Sequence, residues 1–461
     1  MQITNPIIPL KPKEVFINSK GELDLKAICV FVAIGFFLDD DTYWTHKKIL
    51  KSASNHHINS VNILEKSETY FNWHYSPRAI SFKQALEEFT LLFETIIAEQ
   101  IENKKVILPL SGGLDSRTQA VALKHLGADV SAYSYDYRNG YPETKIAKQI
   151  ADVCDFDFQS YKIEKGYLWE KLDDLVKLNN CYSDFTSPRQ MAISEEFSKM
   201  GAIFSLGHWG DVLYDSYNTE KLSHDEQVEF LTKKLLKRGG LEFASKLWQI
   251  WDLEEDFKSY FQNRISNLLS TIEIEDTNAR LRAFKSKYWA PRWTSVNLSI
   301  FENAKPITLP YYDNRMCEFI CTIPEEFLKD RKLQIEYIKL RNPNLAKLVW
   351  QDKRPYNLYN YETPNTIKTF SYKAVNKLKR TVSKLLGQHY IQRNWELQFL
   401  GDDNKQQLES IFKKSKLSEL IPEAFTNSYI KGFYNSDALK NAHAVNMLLT
   451  LAKFNQTQNN G

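Results

Sequence analysis

Residues 106–116 of this chain read VILPLSGGLDS: an apolar run ending at Leu110, then Ser111, Gly112, Gly113, Leu114, Asp115 and Ser116, with a helical pattern beginning near Asp115. Glycines let the backbone turn tightly and bring amides against a ligand, the Ser111 and Ser116 hydroxyls can donate, and a helix N-terminus adds roughly half a positive charge. Together these make an anion site suited to pyrophosphate. An ordinary strand-to-helix turn also holds Gly and Ser, but the Asp115 carboxylate would repel a polyphosphate unless a cation lay between them, so magnesium is implied. The GxxxxGK[ST] and GxGxxG patterns are both absent, and no lysine follows the glycines.

A loop of this kind needs a strand before it and a helix after it. Between residues 81 and 103 apolar side chains recur at helical spacing (Phe82, Ala85, Leu86, Phe89, Leu92, Phe93, Ile96, Ile97). The period then changes: strands are expected at 105–110, 130–135, 156–163 and 203–206, with helices at 115–126 and 142–153 between them. Alternation of this sort predicts an α/β fold, a parallel sheet with helices on both faces, whose ligands sit at the carboxyl ends of the strands. Residues 1–80 read as a small α+β region. Residues 81–455 form the main unit, mostly helical after about 212, and 456–461 are a polar tail expected to fray.

The bulk numbers limit the partners. A net charge of +3 gives no footprint for nucleic acid, and none is expected as a partner. The apolar run at 27–38 is shorter than the ~20 residues a spanning helix needs, and Asp39, Asp40 and Asp41 follow it; no membrane partner is expected. Five cysteines (Cys29, Cys154, Cys181, Cys317, Cys321) without paired spacing fit a reduced cytoplasm. Residues 367–388 hold six basic residues and no acid, which reads as a solvated helix face or a docking face for an acidic carrier or substrate.

LPLSGGLDSR resembles the pyrophosphate-loop motif of the ATP pyrophosphatase (PP-loop, adenine nucleotide alpha hydrolase-like) superfamily, and specifically the synthetase domain of asparagine synthetases and β-lactam synthetases. Three further segments match in order: SLGHWGDVLYDSY at 205–217, ENAKPITLPYYDNRMCEFICTIP at 302–324 and LVWQDKRPY at 348–356. The resemblance implies that ATP and Mg2+ are used. It implies that Leu110, Ser111, Gly112, Gly113, Asp115, Ser116, Ser134 and Gly207 bind nucleotide, and that Asp115 and Asp211 hold the metal. Lys353 is then the catalytic lysine, stabilising charge on the acyl-adenylate and on the tetrahedral species that follows. His208 stands where asparagine synthetases carry glutamate and β-lactam synthetases tyrosine; with Glu302 behind it, it could act as a base toward an amine, or it could simply satisfy the turn.

Glutamine-dependent members of the family begin their mature chains with a nucleophilic cysteine, whereas Gln2 follows Met1 here. The segments GFFLDDDTYW and FNWHYSP resemble the trailing end of an amidotransferase domain, so the region is expected to be a shortened relic without glutaminase chemistry. The implied reaction joins a small-molecule or peptide carboxylate to ammonia or an amine through acyl-AMP. Asparagine formation and a tailoring amidation or lactam formation both stay open, as does a homodimer. A tRNA-modifying PP-loop enzyme would want a basic face and catalytic cysteines. An inactive scaffold would not need the intact SGGLDS and Lys353.

Overall fold

The computed structural model describes residues 1–137, 144–216, 221–363, 366–385 and 395–459. Its first 80 residues form two small antiparallel ladders and a helix: β1 (Gln2–Thr4), β4 (Ser54–Ile58) and β5 (Leu64–Thr69) make one ladder, and β2 (Glu14–Phe16) with β3 (Lys47–Ile49) the other. Helix α1 (Leu25–Ile34) starts at Asp24, whose side chain accepts from the Ala27 amide, and ends at the left-handed Gly35. Every residue of α1 from Ala27 to Ile34 is buried. Such a helix needs cover on all sides, and it packs on helix Gly240–Ile250 from the middle of the chain.

Helix α2 (Phe82–Ile101) is set by a reciprocal capping box between Ser81 and Gln84 and buries the face holding Ala85, Phe89, Phe93, Ile96 and Ile97. The chain then alternates through β6 (Val106–Pro109), α3 (Asp115–His125), β7 (Val130–Tyr137), α4 (Thr144–Cys154), β8 (Asp157–Ile163) and α5 (Tyr167–Asn179). It returns as β9 (Ile203–Ser205) and, after a helical stretch, β10 (Ile307–Thr308). These five strands form one sheet in the order β10-β9-β6-β7-β8, and every pairing is parallel. The expected α/β fold with a doubly covered parallel sheet is therefore the one observed. The fifth strand is an addition: two residues give no readable period.

Beyond β9 the described chain is helical apart from β10. The last helix, Ala438–Asn459, does not fray after Phe454 as its polar sequence suggested; residues 460 and 461 lie outside the described residues. Its middle is buried in the same core that holds α1, α2 and the sheet.

Candidate active site

Winding runs one way through β6, β7 and β8 and then reverses to place β9 on the other side of β6. Such a reversal opens a crevice outside the carboxyl ends of the two central strands. A cavity of about 460 Å³ lies there, lined by Leu110, Ser111, Asp115 and Ser116 after β6, by Ser134 and Tyr135 of β7, and by Gly207, His208 and Asp211 after β9. Its remaining wall comes from the helical half through Lys285, Trp289 and Trp293.

Three amides of the loop point at side-chain oxygens. Ser116 Oγ accepts from the Ser111 amide at 3.1 Å, Ser111 Oγ accepts from the Gly113 amide at 3.3 Å, and Gln351 Oε1 accepts from the Gly112 amide at 3.0 Å. Gly112 cannot be replaced without moving Gln351, because a Cβ would fall 2.3 Å from Oε1. The Gln351 amide returns a bond to the Gly112 carbonyl at 3.1 Å. Beneath the loop, the buried Arg117 guanidinium donates to the carbonyls of Gly112, Leu348 and Val349 at 3.3, 3.3 and 2.7 Å. The loop and segment 348–353 are thus tied together twice.

Asp115 opens α3 and faces Asp211. Its Oδ2 accepts from the Asp211 amide at 3.2 Å, and its Oδ1 takes a hydrogen bond from Arg331 Nη2. This approach requires Gly210, where a Cβ would lie 2.3 Å from Asp115 Oδ1. Burial raises the Asp115 carboxyl to about 6; Arg331 pulls it down and the Asp211 carboxylate pushes it up. Burial disfavours the charge on Arg331, but Asp115 and Asp211 hold its guanidinium above the ordinary value. Two mutually repelling carboxylates lining one cavity fit a hard divalent cation. Among the described residues no group of three or more His, Cys, Asp or Glu side chains could hold a metal, so the rest of a magnesium shell would have to come from phosphates.

His208 lines the same cavity, with its Nδ1 buried and without a hydrogen-bond partner. Burial pushes its imidazole down to about 4 against the pull of Asp211, so the ring is neutral at pH 7. Beside it, edge to face at 6.1 Å, stands Phe301.

The asparagine synthase family matches residues 89–428, a span that runs from within α2 to within helix Glu423–Asn435 and takes in the whole cavity. This chain belongs to the asparagine synthase family. Among solved structures, NMN synthetase from Francisella tularensis aligns over 44% of this chain and 93% of its own, at 14% identity and a TM-score of 0.23; at that score the likeness carries no conclusion. No curated protein matches the chain.

Not every residue implied by the motifs of this asparagine synthase family member reaches the cavity. Glu302 does not line it: its carboxylate is exposed and faces Lys11 at 3.4 Å, and Phe301, one residue earlier, is what meets His208. The expected His208–Glu302 pair is therefore not formed, because helix Ser299–Ala304 turns its apolar side inward and its acid outward. Lys353 is exposed, with Nζ 5.8 Å from the Trp350 ring, two residues beyond the Gln351 clamp.

Other residues stand in the site that the motif reading did not single out. Lys285 lines the cavity, and burial lowers its ammonium against the pull of Asp211. Trp289 and Trp293, on the same wall, each have a buried indole N–H without a partner. Arg117 and Gln351 lay inside the quoted segments, so their signal was local and could have been read. Arg331 had none. It sits with Asp330 in the left-handed region (φ 64° and 55°), and only the fold brings it to Asp115.

The five cysteines are all buried. Burial lifts the Cys154 and Cys181 thiols to about 12 and Cys321 to about 11, and raises Cys29 and Cys317 as well. None presents an accessible thiolate.

Proposed function

We propose that this family member activates a carboxylic acid with MgATP as an acyl-adenylate and then forms an amide or lactam by attack of ammonia or an amine. The carboxylate oxygen attacks the α-phosphorus and pyrophosphate leaves; nitrogen then attacks the acyl carbon, loses a proton, and AMP leaves. The supporting observation is that Ser111, Ser116, the N-terminus of α3 and Asp115 with Asp211 all stand on one cavity whose far wall carries Lys285.

In this reading Ser111, Gly112, Gly113 and Ser116 grip the β and γ phosphates, while Leu110, Ser134 and Gly207 shape the nucleoside side. Asp115 and Asp211 would hold magnesium, which would offset phosphate charge when bound. Lys285 draws the acid into the cavity. Lys353, carried on the segment clamped to Gly112, meets the negative charge that develops at the α-phosphate and acyl carbon. His208, neutral and with a vacant nitrogen, accepts a proton from the attacking nitrogen.

Between asparagine formation from aspartate and amidation of another acid, the cavity favours the second. The acids among its described lining residues are Asp115 and Asp211, both assigned to magnesium in this reading, so a substrate ammonium has no carboxylate of its own. Two partnerless indole N–H groups beside Lys285 suit instead an acid with a flat or ring-shaped body that accepts hydrogen bonds. The region before residue 81 serves as a structural support, consistent with its burial in the common core.

The test is acid-dependent exchange of pyrophosphate into ATP across a panel of carboxylates, with products resolved. AMP and pyrophosphate are expected; ADP and phosphate would overturn the reading. Lys285→Met should raise KM for the acid about tenfold, and Lys353→Met should lower kcat by about a hundredfold with KM little changed.

A further inference from the structure

Helix Thr366–Leu385 is not used by the chemistry above. Its described side chains from Phe370 to Val382 are exposed, apart from the partly buried Tyr372. Phe370, Ala374, Leu378 and Val382 stand four residues apart, with Val375 beside them, so the exposed apolar side chains fall along one stripe of the helix, while Ser371, Lys377 and Thr381 are also exposed. The exposures are large: 73% for Phe370, 51% for Val375, 66% for Leu378 and 46% for Val382. The sequence from 367 to 388 adds Lys368, Lys373, Lys377, Lys379, Arg380 and Lys384 and no acid, in a chain whose net charge is only +3. The rest of the chain is therefore net acidic, and this one segment turns the sign of the net charge.

We infer that helix Thr366–Leu385 is a docking surface for an anionic lipid bilayer, lying in the plane of the interface. A contiguous exposed apolar stripe in water calls for a partner. The charge says which: an anionic surface satisfies the basic residues while the stripe enters the acyl boundary. A second copy of the chain would set stripe against stripe and bring like charges together. A protein partner would have to supply an acidic groove shaped to this helix, whereas an anionic bilayer asks only for the exposed apolar stripe and the basic charge that the helix carries. The helix lies on the membrane and does not cross it; among the described residues no helix is long and apolar enough to do so. This departs from the sequence expectation of no membrane partner, which rested on the lack of a spanning segment.

The full chain should sediment with vesicles of phosphatidylcholine and phosphatidylserine and stay in solution with phosphatidylcholine alone. Binding should weaken as salt rises. The triple variant Phe370→Ser, Leu378→Ser, Val382→Ser should lose at least tenfold in vesicle affinity, and Lys377→Glu with Arg380→Glu should lose a similar amount. Both should keep the thermal unfolding and nucleotide binding of the parent, because the helix lies outside the cavity. No sedimentation with anionic vesicles, equal binding to neutral ones, or serine variants that bind as the parent does would each overturn the proposal. So would self-association that Leu378→Ser abolishes, since it would give the stripe to a second copy.

Discussion

Asp115 titrates where an assay can see it. With its carboxyl raised to about 6 by burial and Asp211, and held there against Arg331, half of it is protonated near pH 6 in the unliganded protein. A protonated carboxyl is a poor magnesium ligand. Magnesium-dependent nucleotide binding should therefore be full at pH 8 and weaken toward tenfold per unit as pH falls below about 6. Calorimetric titration at several pH values checks this, and Asp115→Asn should abolish the metal-dependent binding at every pH and with it the inflection. His208 behaves in the opposite sense. Because burial holds its imidazole near 4, the ring stays neutral from pH 5.5 to 8 and contributes no inflection there. Its loss should appear in one half-reaction: His208→Ala is expected to slow amide formation by about a hundredfold or more, the usual scale of a lost proton acceptor, with pyrophosphate exchange unchanged. A fall in both half-reactions would make it a structural residue of the turn.

At the scale of elements, the clamp between the loop and segment 348–353 is the feature on which the site depends. Arg117→Ala would strand three carbonyls, two of them on the far segment, and leave a void in the buried first turn of α3. About 3 kcal/mol or more should be lost, read as a clear drop in the thermal midpoint, with Lys353 no longer held beside the loop. This scale also shows what a sequence can disclose. The strands β7 and β8 and the helices α2 to α4 were legible because each is long enough to show its period, and β6 and β9 because each is a short apolar run that leads into a Gly-bearing turn. The loop was legible because its chemistry is local. Lys285, Trp289, Trp293 and Arg331 were not, because the first three reach the cavity and Arg331 reaches Asp115 from more than a hundred residues downstream of the loop, and nothing nearby marks them. Glu302 shows the converse: position in a motif suggested a partner for His208, and the local turn of its helix sends it to solvent.

Seen whole, the molecule does not divide at residue 81. The Tyr43 hydroxyl donates to the Cys181 carbonyl, Arg292 donates to the carbonyls of Asp39 and Asp41, and Arg264 pairs with Asp41 at 2.8 Å, so the first region is bound into the helical half by buried polar contacts. The final helix closes the arrangement: Phe454 stacks on Tyr43 with ring centroids 3.7 Å apart, His443 Nε2 meets the Val32 carbonyl at 2.8 Å, and Asn446 donates to Asp184 at 3.0 Å. A ribosome making this chain releases α1 early, with eight consecutive buried positions and nothing yet to cover them. That helix must wait, sheltered by chaperones or by transient contacts, until helix Gly240–Ile250 has been added to cover it, and the final helix then closes over Val32 through His443. A stop codon at residue 438 should therefore yield an insoluble product even though the whole nucleotide loop has been translated, while one at residue 460 should leave a soluble protein that binds ATP; soluble yield and nucleotide binding of the two truncations distinguish them. For this chain, the last helix to be synthesised seals a core that the first one helped to open.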